Sequence, residues 1–207
     1  FIGSLGRDVS EEGHKILGRT FASLLDGELP KALELDVVTA AKARKSKNLN
    51  QLIKRYEAGQ SAENPINEYR ATLVGGDAAK GKQVYENHVA AQCVRCHDAG
   101  GQGNQAGPVL TGIGKRVDKE YLLRSLITPN SEIATGFGVT IVQLTNGKSL
   151  VGRVKKQTNQ SLSLVPAQGK TIEISRREIK KITETKTSVM PPMGSILTKH
   201  QLRDLIA

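Results

Sequence analysis

The stretch that decides how this chain is read is Cys93-Val94-Arg95-Cys96-His97. Attachment of a c-type haem needs two thiols, one for each vinyl group of the porphyrin. Two intervening residues set the spacing of the sulfurs, and a histidine directly after the second cysteine is then held beneath the iron. Three other uses of a cysteine pair compete. A thioredoxin-like dithiol expects a strand–helix–strand context, whereas here a helical pattern precedes the motif and a loop-like one follows. A zinc site takes four ligands, yet the chain has only two cysteines, and His97 lies too close for the usual Cys2His2 spacing. A disulfide across two residues is strained. The motif therefore predicts one haem c per chain, with Cys93 and Cys96 as covalent anchors and His97 on the iron.

Working outward, Gly75-Gly76-Asp77 opens a new unit. Asp77 suits an N-cap and predicts a helix over 77–90, with Gly81, Val84 and Tyr85 on one face. After the motif comes a stretch rich in Gly and Gln, then Gly107-Pro108-Val109-Leu110, then a helix over 118–127 ended by Pro129. Residues 139–156 alternate apolar and polar side chains around Asn146-Gly147, the signal of a type I′ hairpin. Residues 160–175 repeat the pattern around a second turn, and 177–183 offer a last strand. Five short strands with glycine-containing turns predict a small SH3-like or Sm-like barrel. Residues 198–207 return to a helical pattern with Leu202, Leu205 and Ile206 on one face.

Before this unit, residues 10–58 read as three helices. Their apolar positions include Leu17, Phe21 and Leu24, then Leu33, Val37 and Ala41, then Leu49, Ile53 and Tyr56. Short helices in short loops predict a helical hairpin or a repeat-like solenoid remnant, and the polar stretch 60–68 reads as a linker. The division expected is a helical segment with linker at 1–74, a unit built from 75–135 plus 189–207, and a β insertion at 136–188.

A hydrophobic fraction of 38% allows packed cores and excludes a disordered chain. The formal net charge is +10. Residues 137–189 hold ten Lys/Arg against three acids, so that stretch alone carries +7. Such a surface meets an acidic protein, a nucleic acid or an anionic membrane, or is simply solvated. Nucleic acid is disfavoured because Phe137 is the stretch's only aromatic, leaving no platform for base stacking. No run reaches the roughly 18 apolar residues of a membrane span. The opening residues lack a secretory signal, and the pattern beginning mid-stride at Phe1 is what a piece of a longer protein would show.

The second axial ligand has four candidates. The chain's only methionines, Met190 and Met193, share one proline-rich loop just before the last helix. A thioether favours ferrous iron and raises the potential, although methionine is also ordinary core filler. His88 lies five residues before Cys93, badly placed for the far face of a haem, and His200 sits near a helix start. His14 reads as local packing.

These residues resemble the class I cytochrome c family over 76–124 and 188–207. The likeness rests on the helix with Gly81 and Tyr85, on the CVRCH motif, on GPVLTGIG and on MPPMGSILTKHQLRDLIA. The resemblance implies that the first and last helices cross with a small Gly against an aromatic. It implies that Met190, before Pro191, is the distal ligand, with Met193 as a packing residue or alternative. It also implies that the Pro108 carbonyl accepts from His97, and that Arg116 and Tyr121 lie near haem propionates. Met190 follows His97 by 93 residues; removing the 53 residues 136–188 leaves 40, an ordinary interval for the family. The fold expected is thus mainly α: a class I cytochrome c interrupted by an SH3/Sm-like barrel and preceded by a repeat-like helical segment. More specifically, the junction from Ala32 to Gly81 is similar to that of the C-terminal haem-binding domains of large dehydrogenase-like proteins of planctomycetes and verrucomicrobia.

The implied function is electron transfer, with no catalytic residues of its own and with a redox partner protein or an upstream catalytic domain to serve. The resemblance places it in the periplasm or another extracytoplasmic compartment. A haem enzyme or sensor with an open iron site is the competing class; no acid–base pair near the motif speaks for it.

Overall fold

The computed structural model describes every residue except Phe1, Val9, Lys45, Ala62, Gln105 and residues 167–169. It divides into two compact units, one formed by residues 1–82 with 197–207, the other by residues 83–196.

The first unit is helical. Helices α1 (Ile2–Leu5), α2 (Glu11–Leu25), α3 (Glu34–Ala43) and α4 (Lys47–Ala58) come first in the chain. Ser10 starts α2 by accepting from the Gly13 amide at 3.0 Å. Each helix presents an apolar stripe at three-to-four spacing, and the stripes meet in one core around Leu17, Phe21, Val37 and Leu49, all fully buried. Phe21 and Tyr56 meet edge to face at 6.1 Å. Every pair among α2, α3 and α4 is in contact. This is a three-helix cluster rather than the linear stack a repeat would make, in which each element touches only its neighbours.

Within residues 60–68, expected as a linker, most of the described side chains are exposed, but one anchors the stretch. Ile66 is only 1% exposed, its amide is capped by the Asn64 side chain, and a 3-10 segment Asn67–Thr72 follows. Helix α7 (Lys199–Leu205) lies against that segment. Lys199 bonds the Glu68 carboxylate at 3.0 Å and sits over the Tyr69 ring. Low apolar content hid this because one isoleucine carries the burial.

Asp36 holds α7 as well, pairing with Arg203 and His200 at 2.8 Å each. Burial pushes the Asp36 carboxyl up, but the bonds from Arg203 and His200 outweigh it and leave the group below its ordinary value. A depressed carboxylate stabilises the fold above its unfolded pKa of about 4 and loses that contribution as pH falls through the lower folded value. Asp36→Asn is therefore expected to cost about 1 kcal/mol at pH 7. The gap to the unsubstituted chain should shrink as pH falls below about 4 and through the lower folded value, as read by thermal unfolding across pH.

Helix α5 (Ala78–Asn87) crosses the division between the units. Asp77 caps it as expected, accepting from the Ala79 amide at 2.9 Å. Gly81 does not face an aromatic. A Cβ there would lie 2.0 Å from the Asp204 carbonyl oxygen and 3.0 Å from the Leu205 Cα. The C-terminal helix KHQLRDL offers no aromatic ring, so backbone itself fills the contact and only glycine fits.

The second unit contains α6 (Lys119–Ile127), capped by Asp118, and one sheet. Its strands are β1 (Thr140–Leu144), β2 (Ser149–Gln157), β3 (Ser161–Val165), β4 (Ile172–Ser175) and β5 (Ile179–Glu184), in spatial order β4-β3-β2-β1-β5, all antiparallel. The expected barrel is not formed. Closure needs the two outer strands to exchange hydrogen bonds, but the ladder ends on β4 and on β5. The chain leaves the four-residue β4 through a 3-10 turn, Arg176–Glu178, and is carried to the far edge beside β1. Alternation of side chains specifies strands and faces; it does not specify closure. Helices of both kinds hold 44% of the described residues, so the chain mixes helix with a substantial open sheet and is not mainly α.

The first hairpin also differs. Gly147 has φ 85°, whereas Asn146 is not left-handed, and a type I′ turn needs both. Instead the Leu144 carbonyl accepts from the Gly147 amide at 3.0 Å, and the Asn146 side chain accepts from Lys148. The second expected turn falls on residues 167–169, outside the described residues. One face of the sheet closes over Val142, Leu162, Leu164 and Ile174.

Candidate haem-binding site

Helix α5 stops at Asn87, and Gln92, in a left-handed conformation (φ 45°), turns the chain into a 3-10 segment Cys93–Arg95. Cys96 and His97 follow directly. Both cysteines are free thiols and half-buried, and burial pushes the Cys93 thiol up. Cysteines three apart on one tight turn stay unpaired while remaining near each other in sequence, which is what two separate thioether bonds require.

The loop after His97 folds back onto this turn through short-range backbone bonds. The Asn104 amide donates to the Val94 carbonyl at 3.0 Å, Gly107 to Cys96 at 2.6 Å and Leu110 to Asp98 at 2.7 Å. The folding-back brings Pro108 to His97, whose Nδ1 lies 2.8 Å from the proline carbonyl. A carbonyl only accepts, so Nδ1 carries the proton and Nε2 keeps its lone pair, the tautomer a metal ligand needs. Burial lowers the His97 pKa, partly opposed by the Pro108 carbonyl, which favours the neutral ring. Gly107 lies against that ring: a Cβ would come within 2.7 Å of its Cε1 and 3.1 Å of Nε2.

The structure thus brings Cys93, Cys96, His97 and Pro108 together on one loop. Arg116, expected near a haem propionate, makes its bonds within this loop. Its guanidinium donates to the Val109 carbonyl at 2.9 Å and the Thr111 carbonyl at 3.3 Å, so it holds the same loop. Tyr121 is half-buried in the first turn of α6. Met190 is half-buried, its amide donating to Ser188 at 3.1 Å. The Ser188 amide in turn donates to the Asn130 side chain beyond α6 at 2.8 Å. Met193 is 5% exposed and begins a 3-10 segment, Met193–Ser195, packed on α6. The His88 ring is occupied locally, with Nδ1 accepting from the Ala91 amide. His200 and His14 belong to the other unit, where they bond Asp36 and Ser46.

Three residues contribute that the sequence did not single out for this role. Tyr85, read as a helix-face residue, donates its hydroxyl to the His97 carbonyl at 2.7 Å. Gly103 leaves room for the same carbonyl, which a Cβ would approach to 2.0 Å. Arg153 of β2 donates through Nε to the Ala106 carbonyl at 3.1 Å. Gly103 was one glycine in a stretch rich in Gly and Gln, and the two side chains gave no signal.

The residues fit a haem c. Two free thiols precede a half-buried histidine with a fixed tautomer and a glycine floor. Val109 and Val189, which are 42% and 51% exposed, present apolar surface next to Pro108 and Met190 in sequence. Bound there, the haem iron would supply a one-electron couple.

A site of this kind defines a c-type cytochrome. The cytochrome c family model matches residues 78–207, and the chain belongs to that family, which carries haem c covalently. The match runs continuously through the sheet residues, so the expected interruption of the cytochrome by a separate barrel is not supported. Comparison with curated proteins gives no match. No helix among the described residues is long and apolar enough to cross a membrane.

Proposed function

We propose that the protein is an electron carrier holding one haem c through Cys93 and Cys96, with His97 and Met190 as the two axial ligands. The observation that carries this reading is the His97 ring, its Nδ1 on the Pro108 carbonyl and its Nε2 left for iron. Met193 is the poorer second ligand, because its side chain is already packed into the protein. With both axial positions filled by protein, the chain's own work is to orient the group, exclude water from it and dock a partner. Carbon monoxide separates this reading from an enzyme or sensor with an open site. The reduced protein should show no spectral change under carbon monoxide; a shifted Soret band would establish an exchangeable sixth position.

The resemblance to C-terminal haem domains of dehydrogenase-like proteins supports a module within a larger redox protein, located outside the cytoplasm. The +7 stretch over 137–189 supports docking of an acidic redox partner. Electron exchange with an acidic carrier protein is then expected to slow about tenfold between 10 and 200 mM ionic strength, measured by stopped flow. A rate independent of salt would remove the charge-steered docking and leave the carrier assignment standing.

A further inference from the structure

Arg153 joins the sheet to the loop beneath His97. It stands opposite Val165 in the β2–β3 ladder. Its Nε lies 3.1 Å from the Ala106 carbonyl and its guanidinium 4.6 Å from the centroid of the Phe137 ring. A planar guanidinium seated on an aromatic face is fixed in orientation, so its Nε–H addresses one acceptor. Ala106 precedes the two residues that set the histidine. Gly107 bonds Cys96 and lies against the His97 ring, and Pro108 supplies the acceptor for Nδ1–H. Movement of the Ala106 peptide would therefore shift both the floor under the ring and its hydrogen bond.

We propose that Arg153 is a positioning residue for the proximal ligand. By fixing the Ala106 carbonyl from the sheet, it sets the strength of the His97 Nδ1–H bond to Pro108 and, through it, the reduction potential. The proposal rests on the reading of His97 as an iron ligand. A stronger bond at Nδ1 makes Nε2 the better donor and favours ferric iron, so loosening the loop raises the potential.

The test uses the haem-bearing chain and three variants, Arg153→Gln, Arg153→Lys and Phe137→Leu, with Lys148→Gln in the β1–β2 turn as control. Two readouts are taken: the potential, and the exchange rates of the His97 Nδ1–H and the Gly107 amide by NMR of the reduced protein. Arg153→Gln should speed both exchanges about tenfold. It should raise the potential by the equivalent of a threefold to tenfold change in the oxidised-to-reduced ratio, about 28–59 mV for a one-electron couple. Arg153→Lys should recover at least half of each change. Phe137→Leu should move both readouts the same way by less, and it decides the matter alone if Arg153→Gln does not fold. Unchanged exchange and potential in Arg153→Gln overturn the proposal, as does no recovery in Arg153→Lys or an equal response in Lys148→Gln. Haem that extracts freely from the unsubstituted chain overturns the site reading and the proposal together; haem that stays while Arg153→Gln changes nothing overturns the proposal alone.

Discussion

After denaturation in acid–acetone, the haem is expected to remain on the peptide that contains Cys93 and Cys96, with one haem mass per chain by mass spectrometry. A non-covalent haem is held only by axial ligands and packing, both lost when acid protonates His97 and unfolds the pocket. Thioether bonds survive that treatment. The two thiols are free, half-buried and carried on a single turn, so each can react without disturbing the other. Replacing both by alanine should turn essentially complete retention into essentially complete extraction. Either single replacement should leave one bond and a haem that still resists extraction. Haem lost from the unsubstituted chain would sink the covalent assignment.

The second large effect separates the two methionines. Met190→Ala is expected to abolish the weak sulfur-to-iron band near the red edge of the oxidised spectrum. It should also lower the potential by on the order of 100 mV, within the roughly 0.8 V that axial ligands command. Met193→Ala should keep the band. Because Met193 is 5% exposed and packed on α6, its truncation should instead destabilise the fold by about 2–4 kcal/mol through the cavity left behind. One variant then changes the spectrum and the other the melting temperature. An exchange of these two results would transfer the ligand role to Met193. A band missing already from the unsubstituted chain would point to His88 or His200.

What was legible in the sequence follows the range of the interactions involved. The Asp77 cap, the helix over 118–127 and the five strands depend on neighbours within a few residues, and they stand where the patterns put them. The hairpin at Asn146-Gly147 was found, but its turn type was not, because a single positive φ at Gly147 serves equally well in a longer loop. Barrel closure was misread because strand patterns are silent about which edges meet. The glycine at position 81 was legible as a close approach and illegible as to its partner, since the sequence suggests a ring where the structure places a carbonyl. Arg153 was one of ten basic residues in its stretch. Its contact with Ala106 lies 47 positions away and depends on the register of β2, which no local pattern carries.

The loop closed beneath His97 has a consequence for the order in which the protein is assembled. Its bonds span short stretches, from Cys96 to Gly107 and from His97 to Pro108, whereas Met190 lies 93 residues beyond His97. Closure entropy grows with the logarithm of the span, so bringing in the distal segment costs roughly 2 kcal/mol more than forming the proximal loop. Contacts of low sequence separation also form faster. The thiols and the histidine are therefore presented by a piece of chain whose own contacts can close early, before Arg153 of the sheet arrives to fix the Ala106 carbonyl. Maturation can begin on the nascent half of the unit, and the methionine segment arrives as the closing step.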